Sequence, residues 1–231
     1  MLIYFPQWQG SSTGQKMKTG AEVLIKYLNR PFTEVALSNK ALITEYQING
    51  YQAIFEQLSD FRANLKQRNP TSMRIVGGDC GLEIIPVSFL ASKYENIGVI
   101  WFDAHADFNI PEESPSGNFH GMPLRTLIGE GDEKMKSLLF KQISPSKIHY
   151  LGLRSVDQAE KIALKKYGVF SEFKPSIDKL VQTLKTKGIK NLYIHFDVDC
   201  LDPEAFCYSY YQVANGLTVE DSISYLEALK A

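Results

Sequence analysis

The sequence is poor in cysteine, in long apolar runs and in net charge, and each shortage excludes a class of protein. Its three cysteines are an odd number and too few for a disulfide scaffold. Its 25 basic and 26 acidic side chains leave a net charge of −1, so we expect neither a nucleic-acid partner nor binding to an anionic membrane. The longest apolar runs, such as Val99–Phe102, fall far short of the roughly 18 residues that a membrane span needs.

The remaining composition is ordinary for a globular domain. The first ten residues lack a basic segment followed by an apolar core, so no signal peptide is indicated. A hydrophobic content of 44% and a charged content of 22% allow a substantial core at this length. We therefore expect a cytoplasmic protein with a single domain over residues 1–231.

Short runs rich in β-branched and aromatic residues alternate with longer amphipathic segments. The predicted strands are Leu2–Phe5, Glu34–Leu37, Arg74–Val76, Gly98–Phe102, Lys147–Leu151, Val169–Phe170 and Leu192–Phe196. The predicted helices are Ala21–Leu28, Gln52–Lys66, Glu83–Tyr94, Lys134–Phe140, Val156–Lys166, Ile177–Lys187 and Glu220–Leu229. This alternation predicts an α/β protein with a mostly parallel sheet, whose ligands bind at the carboxyl ends of the strands.

Two predicted strands end in side chains that are typical metal ligands. Asp103, His105 and Asp107 follow one strand at a spacing of two, so an extended backbone turns all three to one face. Asp197 and Asp199 follow the last predicted strand and also share a face. The alternative is that these are solvated acids that cap the following helices, but two such clusters after two separate strands favour a ligand site.

Four carboxylates and one imidazole would repel one another strongly in a medium of low dielectric constant. One divalent cation, or two about 3.5–4 Å apart, would remove that repulsion. Donors that are mainly carboxylates suit manganese better than metals that prefer thiolates. The clusters therefore predict a metal-dependent reaction.

A third strand end reads Gly77-Gly78-Asp79-Cys80. By itself a glycine pair is a weak signal, typical of a tight turn into a helix. A nucleotide-binding loop is the other interpretation, although the G-x-G-x-x-G and Walker patterns are absent.

Together these segments resemble the arginase family of binuclear manganese ureohydrolases, which includes arginase, agmatinase and formimidoylglutamase. The motifs match in the family's order at Gly77–Cys80, Asp103–Asp107 and Asp197–Pro203, while Ser114–Pro123 and Leu151–Glu160 are similar to the arginase branch. The resemblance implies a three-layer α/β/α fold with a mostly parallel central sheet. It also implies hydrolysis of a guanidino or amidino C–N bond by a metal-activated hydroxide, foremost arginine to ornithine plus urea.

The resemblance also assigns roles by position. One ion, in what we call the first site, would take Asp103, Asp107, Asp197 and residue 80; the other, in the second site, would take Asp103, His105, Asp197 and Asp199. Asp107 would orient the hydroxide, and His120 would protonate the leaving amine. The substrate's α-carboxylate would bind Asn109, Ser116 and Asn118, its α-amino group Asp157 with Glu160 behind it, and its guanidinium Asp221. Turn-forming Asn and Ser, or an acid that opens a helix, are the structural alternatives.

The sequence departs from the family pattern at three places. Cys80 stands where the family has a metal-binding histidine: a thiolate would shift selectivity towards zinc or iron, whereas a neutral thiol would leave the first site weak or empty, and we favour the neutral thiol. Tyr211 replaces a threonine that contacts the guanidinium and would narrow the pocket, and Asp221 replaces a longer glutamate, with Glu220 beside it. The chain ends at Ala231 on a helix, where the family continues with a strand and a helix, so we expect a naturally short chain or a truncated one.

Two hypotheses follow from these residues. The first is a manganese(II) hydrolase that binds up to two ions and acts on arginine, or on agmatine or formimidoylglutamate, with impaired activity if the first site is incomplete. The second is a degenerate relative that keeps the fold as a binding or assembly module. The resemblance also implies a homo-oligomer, since the family commonly forms trimers or hexamers. Of the other histidines, we expect His195 beside the metal ligands and His149 in the core.

Overall fold

The computed structural model describes residues 1–11, 13–169 and 172–230. These residues form two compact units. The first consists of Met1–Ser92 and Asp107–Ile143, and the second of residues 93–106 and 144–230. Each unit contains one three-stranded parallel sheet. The single domain over 1–231 stays a prediction.

The first unit is built around a sheet with the strand order β2-β1-β3. Its strands are β1 (Leu2–Phe5), β2 (Thr33–Glu34) and β3 (Arg74–Gly77), and its helices are α1 (Lys16–Leu28), α2 (Tyr51–Arg68), α3 (Ile84–Lys93), α4 (Pro123–Leu127) and α5 (Glu133–Ser137). Neighbouring residues of β1 face opposite sides of the sheet. Tyr4 packs with Ile25 of α1, and the ring of Phe5 meets that of Phe61 of α2 at 5.1 Å. A helix therefore covers each face, which gives this unit three layers.

The second unit is built around a sheet with the order β5-β4-β6. Its strands are β4 (Ile97–Phe102), β5 (Ile148–Leu151) and β6 (Asn191–Phe196), and its helices are α6 (Gln158–Lys166), α7 (Ile177–Thr186) and α8 (Val219–Ala228). Every residue of the central strand β4 is buried. Ile100 and Phe102 of that strand lie in one core cluster with Leu184 of α7 and Tyr225 of α8. The parallel pairing of β4 with β6, in which Phe102 lies opposite Phe196, places the carboxyl ends of these two strands side by side.

Most predicted elements are confirmed, with ends that differ by a few residues, but three predictions need correction. The strand predicted at Glu34–Leu37 is Thr33–Glu34, because this edge strand leaves the sheet after Val35 donates to the Tyr4 carbonyl oxygen (2.9 Å). The helix predicted at Lys134–Phe140 is Glu133–Ser137, because it tightens into three-residue turns at Leu138 and Leu139. Val169 belongs to no strand, because its N–H donates to the carbonyl oxygen of Leu164 within α6 (3.0 Å), and Phe170 lies outside the described residues. The short helix α4 was not predicted.

Among the described residues, no helix is both long enough and apolar enough to cross a membrane.

His149 of β5 is buried, as predicted, and lies near two cations. Burial and then the charges of Lys187 and Lys147 lower the pKa of His149 to about 4. The folded chain therefore keeps this imidazole neutral at a pH where the unfolded chain protonates it.

This difference predicts a loss of stability in mild acid. Below the ordinary histidine pKa of about 6.5, His149 is protonated in the unfolded state. In the folded state it stays neutral until the pH nears 4. We expect His149 to lower the free energy of unfolding by about 2 kcal/mol between pH 7 and pH 5. Urea unfolding of the wild type and of His149→Phe at both pH values measures it, and the variant should lose about 2 kcal/mol less. Equal losses in the two proteins would contradict the lowered pKa.

Candidate functional site

The first part of the site is the carboxylate that follows β4. Asp103 is 1% exposed, and its oxygens accept hydrogen bonds from the His105 N–H (2.7 Å) and from the Trp101 indole (3.2 Å). The Trp101 ring stacks on His195 of β6, with the ring centroids 3.7 Å apart. Trp101 and His195 lie opposite each other in the strand register, so the pairing of β4 with β6 orients the Asp103 carboxylate.

The second part of the site is the turn that follows β6. Asp197 continues the sheet by donating its N–H to the Phe102 carbonyl oxygen (2.8 Å). Its side chain then caps the 3₁₀ turn Val198–Cys200 and accepts from the Asp199 N–H (2.8 Å). The Asp199 carboxylate accepts from the Ala104 N–H (3.0 Å). The two strand ends are therefore joined through carboxylate-to-backbone hydrogen bonds.

These hydrogen bonds bring Asp103, His105 and Asp199 into one cluster. The His105 Nδ1 atom lies 2.9 Å from Asp199 Oδ2 and 3.5 Å from Asp103 Oδ1. One ligand atom from each of the three residues lies within 4.8 Å of the others. Two carboxylates and an imidazole form a donor set that fits a divalent cation, so these residues can hold one.

The electrostatics of the cluster are dominated by burial and by pairing. Burial lowers the pKa of His105, but the hydrogen bonds to Asp103 and Asp199 raise it to about 11. Burial and then the charges of Asp103 and Asp197 raise the pKa of Asp199 to about 8. Burial also raises the pKa of Asp103, but His105 and His195 more than reverse this and hold it below its ordinary value. The cluster therefore retains protons near neutral pH that a bound cation would displace.

Tyr211 lies beside this cluster. Its ring is 6.1 Å from the His105 ring, with an angle of 77° between the planes, so it presents an edge-to-face contact to a candidate metal ligand. Tyr211 was predicted to narrow the substrate pocket, and that role stays a prediction.

Asp157 and Glu160, predicted to bind the substrate's amino group, form a capping box at the start of α6. The Glu160 N–H donates to Asp157 Oδ1 (2.9 Å), and the Asp157 N–H donates to Glu160 Oε2 (3.0 Å). The structural alternative, an acid that opens a helix, therefore describes a contact that both residues make. Their role in substrate binding stays a prediction.

Asp221, predicted to contact the guanidinium, also caps a helix. It forms a capping box with Thr218 at the start of α8, and its Oδ2 atom accepts from Lys174 Nζ at 2.6 Å. The bond with Lys174 lowers the pKa of Asp221. Because Lys174 already neutralises this carboxylate, Asp221 would bind a second cation more weakly. Among the predicted substrate-binding residues, its role is the one that the contacts favour least.

In the first unit, two of the predicted carboxylate-binding residues, Ser116 and Asn118, are joined by a residue that no motif indicated. The Asn49 side-chain amide donates to the Ser116 carbonyl oxygen (2.9 Å) and to Asn118 Oδ1 (3.0 Å). The Ser116 hydroxyl accepts from the Asn118 N–H (3.2 Å). Asn49 lies 69 residues before Asn118, so no local motif could have indicated it.

The other predicted residues of the first unit lie in turns. Cys80 is buried and begins the 3₁₀ turn Cys80–Glu83 after β3. Asp107 is buried with a left-handed backbone (φ 49°), which an aspartate tolerates better than most residues do. His120 lies in the 3₁₀ turn Phe119–Gly121, and the Asn109 N–H donates to the Gly121 carbonyl oxygen (2.9 Å).

Comparison with known proteins agrees with the motifs. The sequence model of the arginase family matches residues 19–231. The arginase of Staphylococcus aureus (strain MRSA252) is 40% identical over 164 residues, which cover 67% of this chain and 54% of that protein. The arginase of Entamoeba histolytica is 31% identical over 245 residues, which cover 94% of this chain and 82% of that protein. The chain thus spans about half the length of the Staphylococcus relative and most of the Entamoeba one.

The fold agrees as well. The native structure of arginase from Bacillus caldovelox superposes with a TM-score of 0.80 and 26% identity, over 99% of this chain and 85% of that one. The predicted three-layer α/β/α fold is therefore confirmed. With the family model matched over nearly the whole sequence, the chain belongs to the arginase family.

Proposed function

We propose that this chain hydrolyses a C–N bond of a guanidino or amidino compound, and that arginine, cleaved to ornithine and urea, is its substrate. The observation that carries the proposal is the cluster of Asp103, His105 and Asp199, whose ligand atoms lie within 4.8 Å of one another in a member of the arginase family. The choice of arginine rests on the relatives, which are named arginases.

We propose manganese(II) as the metal of this cluster, because its donors are mainly carboxylates. When bound, the metal supplies a water whose pKa is low enough to give a nucleophile near neutral pH. The chain's own contribution is to hold the ligands in place beforehand. The Trp101 indole holds one oxygen of Asp103, while the Ala104 N–H and His105 hold the two oxygens of Asp199.

The roles taken from the motifs in the first unit complete the proposal. Asn109, Ser116 and Asn118 bind the substrate's α-carboxylate, and the hydrogen bonds of Asn49 keep the last two in place. His120 gives a proton to the leaving amine nitrogen, which would otherwise depart as an unstable anion.

In the second unit, Asp157 binds the α-amino group. Glu160 supports Asp157 through the capping box. The Asp157 carboxylate is thereby oriented by the helix that it caps.

A second ion would draw on Asp107 and on residue 80, which is a cysteine here. A neutral Cys80 thiol is a poor ligand for manganese, so we propose that this first site is weak and limits activity. Cytoplasmic localisation and homo-oligomeric assembly are further proposals, which rest on composition and on the resemblance to the family.

The activity is tested by urea release. With manganese present, the protein should release urea from arginine faster than from agmatine. Loss of a residue that hydrogen-bonds to a metal ligand costs roughly 10–100-fold in activity. Asp199→Asn removes a ligand itself and should lower kcat/KM by more than that. Asp178→Asn, the same change at an exposed acid of α7, should leave kcat/KM unchanged. No release from any guanidino or formimino substrate would contradict the hydrolase and favour a binding module.

Metal content tests the account of residue 80. We expect about one manganese per chain as purified, and a higher occupancy in Cys80→His, because the imidazole restores a donor that manganese accepts. Elemental analysis of the dialysed proteins measures the ratio. Cys80→Ala, which removes the thiol without adding a donor, should match the wild type. Equal occupancy in Cys80→His and Cys80→Ala would show that residue 80 does not limit the site.

Proton release tests the cluster itself. The cluster holds protons near neutral pH, with the pKa of His105 at about 11 and that of Asp199 at about 8. His105 and Asp199 each hold a proton at pH 7, so metal binding there should release about two protons per ion, and affinity should rise with pH. Titration calorimetry in two buffers of different ionisation enthalpy gives the number of protons. His149→Phe, which removes a histidine outside the cluster, should release the same number. Release of none would show that the ligands are already deprotonated.

A further inference from the structure

Arg154 lies three residues after the end of β5, and its side chain donates hydrogen bonds to carbonyl oxygens of several segments. Its guanidinium donates to six of them. The acceptors are Gly152 (2.8 Å), Asp199 (2.8 Å), Cys200 (3.2 Å), Leu201 (3.2 Å), Val213 (2.7 Å) and Ala214 (3.1 Å). Three of these belong to the turn that carries Asp199, and two belong to the loop that carries Tyr211.

The backbone N–H of Arg154 binds the segment that carries Asp103 and His105. The N–H groups of Arg154 and Ser155 both donate to the Ala104 carbonyl oxygen, at 2.9 and 2.8 Å. Ala104 lies between Asp103 and His105 in the sequence. One residue thus connects both segments that supply the candidate metal ligands.

The close approach of these segments depends on Gly152. Its φ is +90°, and a Cβ atom there would lie 3.2 Å from the Cβ of Cys200 and 3.4 Å from the Asp103 carbonyl oxygen. The glycine therefore lets the chain pass close to both ligand segments, and it brings the guanidinium within reach of their carbonyl groups.

The guanidinium binds carbonyl oxygens rather than the ligand carboxylates. The Asp199 carboxylate oxygens accept from Ala104 N–H and face His105 Nδ1, while its carbonyl oxygen accepts from Arg154. The charge of Arg154 still acts on Asp199, Asp202 and Asp103. An arginine placed this way fixes the turn without occupying the oxygens that a metal needs.

The loop that carries Tyr211 is tied down at the same place. Val213 and Ala214 accept from the guanidinium, and the Gly216 N–H donates to Asp202 Oδ2 (2.8 Å). Both ends of the connection from Asp202 to Gly216 are thereby held. The position of Tyr211 beside His105 consequently depends on the same arginine.

We propose that Arg154 is a positioning residue for the metal site, holding Asp199 at the distance from Asp103 and His105 that a divalent cation requires and holding the Tyr211 loop beside them. This rests on the proposed function. A lysine would keep the charge, but its ammonium is a compact point charge without the planar fork of five N–H donors that reaches six carbonyl groups. The shape of the side chain, rather than its charge alone, is what the site uses.

The test compares manganese affinity in Arg154→Lys, Arg154→Ala and the wild type, measured by the loss of the free Mn²⁺ electron paramagnetic resonance signal, without substrate. We expect Arg154→Lys to bind manganese at least about tenfold more weakly, as for the loss of a residue that orients a ligand. Arg62→Lys is the matched control, because Arg62 also donates to a carbonyl oxygen, that of Leu138 (2.9 Å). Its affinity should equal that of the wild type.

Chemical rescue separates positioning from a general structural role. Millimolar guanidinium should restore manganese affinity to Arg154→Ala, whereas methylammonium, which lacks the planar fork, should not, and neither should change the wild type. Wild-type affinity in a folded Arg154→Lys would overturn the proposal. So would a loss in Arg154→Ala that guanidinium and methylammonium repair equally.

The failures of the two proposals are distinguishable. A wild type that binds manganese but releases no urea contradicts the proposed function, while the affinities still decide the role of Arg154. A wild type that binds no divalent ion contradicts both. If Arg154→Ala does not fold, as judged by circular dichroism, Arg154→Lys decides alone. In an active protein, Arg154→Lys should also raise the KM for manganese activation more than it lowers kcat at saturating metal.

Discussion

The second unit is organised by the mutual repulsion of carboxylates that the sheet brings to one edge. Asp103 follows β4, and Asp197 and Asp199 follow the neighbouring strand β6. In a buried environment such a group is stable only if opposite charge or hydrogen-bond donors face it. His105 supplies the charge and backbone N–H groups supply the donors, which leaves a set of oxygens and one nitrogen that suits a metal ion.

The hydrogen bonds around the cluster share one structural feature. Side chains that are to bind a metal ion are oriented by groups that do not compete for it: the Trp101 indole for Asp103, the Ala104 N–H for Asp199, and Arg154 for the carbonyl oxygens of the turn that carries Asp199. The raised pKa of Asp199, which comes from burial and then from the charges of Asp103 and Asp197, shows that the carboxylates are crowded by mutual repulsion. Binding of a cation relieves it, so metal affinity and local stability are linked.

Much of the fold and part of the site could be predicted from short-range pattern. Short apolar runs located β4 and β6, and the spacing of two predicted that Asp103 and His105 share a face. The contact between His105 and Asp199 joins residues 94 positions apart, so spacing could suggest it only through the rule that parallel strand ends meet. The edge strand at Thr33–Glu34 was predicted too long, because an edge strand pairs with one neighbour and ends where its hydrogen bonds to that neighbour end.

By itself the sequence determined the α/β class, the ligand-type residues after β4 and β6, and the family, because each of these depends on local periodicity or on a contiguous motif. Tertiary structure alone decided which groups each side chain meets. Asp221, assigned to the guanidinium by its position, pairs with Lys174, and Arg154, which carried no assignment, joins the two ligand segments. The physical reason is the same in both cases: hydrogen-bond partners are set by the packing of distant segments, and a motif records only neighbours in the chain.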